Sequence, residues 1–141
     1  MRSFQLIAEY EDLRERLKHA ASIMYDQHVP PEVSRQSATV AAALWSLLPW
    51  VFDLRVEGEE AASIALCRLV NLLILRIVGR DEQLPDLLRL LEDDIRTLHK
   101  IRQGNSGREL LAGLSAHLLH RYAGFGLTPG HLNHAAESKQ Q

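Results

Sequence analysis

AASIALCRLVNLLILRIV, residues 61–78, is apolar at fourteen of its eighteen positions. Arg68, Asn71 and Arg76 lean towards one side of a helical wheel, yet Ile64, Leu72 and Leu75 sit among them, so no continuous polar stripe remains. A helix that is apolar nearly all round has to be enclosed by other elements. Its length at ~1.5 Å per residue is about 27 Å. Burying roughly a dozen medium or large apolar side chains at ~1.5–3 kcal/mol each gives an upper bound near ~20–35 kcal/mol. The expectation is an all-α, single-domain bundle of about five helices around a buried central helix over residues 59–78.

The sequence on either side supplies helices to do the enclosing. Ser3 can cap a first helix running to about Asp26, on which Leu6, Tyr10, Leu13, Leu17, Ala20 and Met24 follow four-three spacing and form one apolar seam. His28-Val29-Pro30-Pro31 interrupts it, and Pro31 suits the first position of a second helix. That helix is expected to run to about Leu48, where Pro49 ends or kinks it. Gly58 allows the turn into the central helix, and Gly79 can close that helix as a C-terminal glycine.

A fourth helix from about Leu84 to Arg102 repeats the four-three spacing through Leu84, Leu88, Leu91, Ile95 and Leu98. After Gly104, the run Ser106-Gly107-Arg108-Glu109 matches a capping box, opening a fifth helix that continues to about Ala123. Thr128-Pro129 can cap a last short turn through His134. The domain is therefore expected over residues 1–134, with 135–141 a disordered polar tail.

Composition bounds the function. A chain of 141 residues suits one domain with one core. With 16 basic and 18 acidic residues there is no global field to drive binding to nucleic acid or an anionic membrane. The N-terminus carries Glu9, Glu11 and Asp12 where a secretory peptide needs an apolar run. The longest uncharged stretch, residues 36–52, is seventeen residues long and polar at its start, so the expectation is a cytoplasmic protein without a membrane span. The lone Cys67 excludes an intrachain disulfide and reads as a small buried hydrophobe.

Four groups of residues are candidate sites. His117 with His120, and His131 with His134, have the three-residue spacing that places two imidazoles on one side of a helix, as a zinc or nickel site would need. No carboxylate or thiol stands at a matching position, so no metal and no cofactor are assigned. Arg14-x4-His19 resembles the active-site pattern of a superfamily of small helical ribonucleases, which implies an RNA-cleaving pair. The resemblance covers two residues, on the first helix rather than the later helix where that family carries them. Arg68 and Arg76 can snorkel from the central helix or pair with carboxylates of its neighbours. Dispersed arginines, thirteen of the sixteen basic residues, would suit a subunit of a nucleoprotein complex gripping an RNA or DNA backbone, but Asp and Glu are interleaved with them. The middle of the fourth helix carries Glu92, Asp93 and Asp94, which point about 100° apart and so share no pocket.

The reading favoured by elimination is a noncatalytic bundle acting through protein–protein contacts as an adaptor, regulatory or assembly subunit. Leu13 and Leu17 on the first seam, Leu91 on the fourth, and the aromatic pair Trp45 and Trp50 are the expected contact residues, with a homodimer as the expected partner mode.

Overall fold

The computed structural model describes residues 2–23, 30–104 and 107–127. These form α1 (Arg2–Ile23), α2 (Pro31–Val56), α3 (Glu60–Val78), α4 (Leu84–Gln103), α5 (Gly107–Ala112) and α6 (Leu114–Arg121), closed by a single 3-10 turn, Ala123–Phe125. The chain is an all-α helical bundle, with no strand among the described residues. The end of the first helix beyond Ile23, the capping box at Ser106, the turn through Thr128 and His134, and the tail 135–141 lie outside the described residues.

α3 is the central helix, packing against α1, α2, α4 and α6. Leu66, Leu69, Val70, Leu73 and Ile77 on it are all but inaccessible to solvent. Its enclosure is nevertheless incomplete, contrary to the expectation from its apolar circumference. Leu75 and Val78 are 62% and 52% exposed, and Ile64, Arg68 and Asn71 are half-buried. These five recur at spacings of three and four, so they trace one seam along the helix that its four neighbours leave open.

The neighbours are laid down as their patterns dictate. α1 turns Leu13, Leu17 and Ala20 inwards; α4 buries Leu84, Leu88, Leu91, Ile95 and Leu98. α2 begins at Pro31, and the Pro30 carbonyl accepts from the amides of Val33 and Ser34 at 3.0 and 3.1 Å. Pro49, expected to end or kink α2, lies inside a helix that continues for seven residues to Val56. A proline inside a helix costs ~3 kcal/mol. Burial of Leu47, Leu48, Val51, Phe52 and Leu54 around it outweighs that cost, since each contributes ~1.5–3 kcal/mol.

α3 ends at Val78 with Gly79 as its capping residue, as expected, though the cap geometry differs and one further boundary does too. Gly79 keeps a negative φ of −79°, and Arg80 instead takes the left-handed conformation at φ 52°. The Asp81 amide then reaches back to the Arg76 carbonyl at 3.1 Å, the wrap-around bond that satisfies an end-of-helix carbonyl. The fifth helix is broken in two at Gly113, and α6 starts afresh at Leu114. α2 and α3 are each long and apolar enough to cross a membrane; half of the apolar window in α2 and 61% of that in α3 are buried inside the bundle, as core helices require.

Candidate interaction surface

α1 and α2 run antiparallel, and their shared outer face is built on aromatic rings contributed by both helices. Tyr10 of α1 meets Phe52 of α2 edge-on at 5.4 Å. Four residues along α1, the Arg14 guanidinium lies 4.5 Å from the Trp45 ring of α2 and 5.9 Å from Tyr10. Such cation–π contacts at a half-exposed site contribute ~0.5–1 kcal/mol each and favour the pose of Arg14 over these rings.

On one side of this Arg14–Trp45 ridge is a cleft of about 370 Å³ between Leu6, Ile7, Tyr10, Pro49, Phe52 and Val56, with Asp53 on its edge. Phe4, Ile7 and Val56 at this end are 76%, 53% and 75% exposed. On the other side is a second cleft of about 390 Å³, lined by Leu17, Ala21, Ala38, Ala41, Ala42 and Trp45, with Lys18 and Ser22 at the rim. Exposed bulky residues thus crowd one end of the face, and alanines floor the other.

Beneath the first cleft, Arg55 ties three helices together. Its guanidinium donates to Glu9 of α1, to the Ser63 hydroxyl at 3.3 Å and to the Cys67 sulfur at 3.4 Å, and it lies 5.0 Å from the Phe52 ring. Burial pushes the Cys67 thiol up to about 11 despite the opposing pull of Arg55, so at neutral pH it is a protonated, unreactive thiol.

A second polar cluster joins α4 to α6. Asp94 is buried, and one of its oxygens accepts from Arg121 Nε at 2.8 Å and from the fully buried Tyr122 hydroxyl. Burial, followed by the bond to Asp94, raises the Tyr122 phenol far above its usual value. Arg121 is held above its own range chiefly by the Asp94 bond. One Asp94 oxygen thereby ties α4 to the end of α6 through two donors.

The sequence-derived candidates fall unevenly on this architecture. Leu13, Leu17 and Leu91 are 3%, 0% and 0% exposed, so the two seams expected to serve a partner are instead consumed by packing within the chain. Trp50 is half-buried against the core, while Trp45 is 37% exposed and central to the α1–α2 face. Arg14 lies on Trp45, whereas His19 is exposed; five residues apart on a helix they point about 140° from one another, and no contact joins them. His117 and His120 are both exposed, and His131 and His134 lie outside the described residues. Among the described residues no three His, Cys, Asp or Glu side chains converge as metal ligands would. Arg76 pairs with Asp81 of the following linker and donates to the Phe125 carbonyl, as its position on the central helix allowed.

Ile7, Val56 and Arg55 are not singled out by the sequence, and Asp94 stands there only as one of three carboxylates that share no pocket. Asp94 had a usable signal: it follows Leu91 by three residues and so falls on the buried ladder of α4, where a carboxylate demands a partner. Ile7 and Val56 had none, since each is one apolar residue beside another. No family model, curated protein or solved structure matches this chain.

Proposed function

We propose that the protein is a noncatalytic helical adaptor or assembly subunit that acts through protein contacts made by the α1–α2 face. The observation that carries this is the coincidence on one face of the exposed Phe4, Ile7 and Val56, two apolar clefts and the Trp45–Arg14 pair. Tryptophan and arginine are the residue types that dominate binding energy at protein interfaces, and contiguous exposed apolar surface marks contact sites. The polar clusters elsewhere are occupied in holding helices together, which favours a scaffold over a reaction centre.

The nucleoprotein alternative draws less support. Arg16, Arg55, Arg76, Arg89, Arg96 and Arg121 each pair with a carboxylate of the same chain, which neutralises the charge a phosphate backbone would need.

Comparative capture from the native cell tests the proposal. A chain carrying Ile7→Asp and Trp45→Glu is expected to lose a defined set of proteins that the unaltered chain and an Arg89→Glu control on α4 both retain. Identical capture by all three would refute it. Salt-sensitive retention of RNA or DNA in place of protein would favour the nucleoprotein alternative.

A further inference from the structure

We infer that the partner on the α1–α2 face is a second copy of this chain, paired through a two-fold axis that crosses the face at Arg14 and Trp45, with α1 on α1 and α2 on α2, each antiparallel. This rests on the reading of the face as a contact surface and specifies its occupant. Three features of the face make it complementary to itself in that one arrangement.

Shape is the first. The bulky end and the alanine-floored end lie on opposite sides of the Arg14–Trp45 ridge. An axis at Arg14 is seven residues from Ile7 and seven from Ala21, so it carries Ile7 of one copy over Ala21 of the other. An axis at Trp45 is four residues from Pro49 and three from Ala42, so those two meet as well. Ile7 and Pro49 at the rim of one cleft therefore meet the alanine floor of the other, twice over by symmetry.

Charge is the second. Glu11 and Asp53 flank the bulky end; Lys18 and Arg35 flank the alanine end, and all four are exposed. The same axis sets Glu11 against Lys18 and Asp53 against Arg35 of the second copy, giving four opposite-charge contacts across the dimer against one like-charge approach of Arg14 to its own copy, where each guanidinium lies on its own Trp45 ring. A parallel pairing would set acid against acid.

Extent is the third. Two neighbouring helices about 10 Å apart and ~30 Å long present a face on the order of 600 Å². That is slightly below the ~800 Å² per partner of a standard interface, the size class of non-obligate complexes.

Sedimentation of the full chain through the micromolar range tests this, with charge exchange as the specific probe. The mass is expected to rise from 15.9 kDa to twice that value as concentration increases. Glu11→Lys with Asp53→Lys is expected to weaken dimerisation by about tenfold or more, because four attractive rim contacts become repulsive. Lys18→Glu with Arg35→Glu should do the same. The chain carrying all four substitutions should recover the original affinity, since acid again faces base. All four positions are solvent-exposed, and an unchanged melting curve verifies the fold of each variant.

A chain that stays at 15.9 kDa throughout overturns the inference while leaving the contact-module reading to the capture experiment. A dimer indifferent to both half-exchanges, or one that the combined variant fails to restore, overturns it too, because another face or orientation would then be in use.

Discussion

Replacing Tyr122 by phenylalanine removes one oxygen from a fully enclosed position while keeping the ring that packs into the core beside Phe125. The lost bond is to a charged carboxylate, worth ~1.5–3 kcal/mol. Asp94→Ala is costlier in a different way, because it strands the Tyr122 hydroxyl without water at ~1–3 kcal/mol. It also frees Arg121, whose side chain is 31% exposed and can turn to solvent, so that pair adds only ~0.5 kcal/mol. Each kcal/mol moves the melting temperature of a chain this size by ~3–4 °C. Tyr122→Phe is therefore expected to melt ~5–10 °C lower, by circular dichroism or calorimetry.

The double variant Asp94→Ala/Tyr122→Phe should be clearly more stable than the sum of the two losses, with a coupling of ~1–2 kcal/mol, since the hydroxyl stranded by the first change is removed by the second. Additive losses would refute the hydrogen bond. The phenol also gives a pH signature. Its folded pKa is raised above the unfolded value of 10.0, so stability is complete below pH 10 and falls above it, where only the unfolded chain releases the proton. Tyr122→Phe should flatten that alkaline fall.

Cys67 titrates in an adjoining window. Its shift from 9.0 to about 11 predicts stability that is intact below pH 9 and declines towards pH 11 by ~2–3 kcal/mol, a decline that denaturant titrations should find reduced in Cys67→Ser. Leu73→Asp places a charge at a fully buried position of α3 and should leave the chain unfolded or aggregated; a soluble, cooperatively melting product would mean α3 is not enclosed there. At Gly113, φ is −101° and a Cβ would meet nothing within 4 Å. Gly113→Ala should therefore raise stability by ~0.4–1 kcal/mol through the unfolded chain, and a lower melting temperature would show that the break between α5 and α6 needs glycine.

The helical layout was legible because each amphipathic seam has one solution: α1 and α4 bury the residues their spacing selects, and α3 sits among four neighbours. The boundaries that misled were those where tertiary packing overrules a local signal. Pro49 is such a case, since the buried residues on both sides of it carry α2 through. At Gly79 the boundary itself is as expected, and only the left-handed residue falls one position later, where the wrap-around bond from Asp81 to Arg76 puts it. The candidate surface was legible only in part. Trp45 stood out by type, but whether Leu13 or Ile7 faces solvent depends on how α1 rolls against α2 and α3, and an apolar spacing pattern gives the roll only to within one neighbouring residue.

Arg76 has a further consequence for how the bundle opens. From the last turn of α3 it holds Asp81, in the connection to α4, and the carbonyl of Phe125, in the final turn after α6. Two segments distant in the chain are thereby latched by one side chain at one end of the bundle. Amide protons around 79–83 and around 122–127 should consequently exchange with solvent as a single cooperative unit rather than as two independently fraying ends. The closing turn then derives its order from the central helix, and losing the one guanidinium would loosen both segments at once.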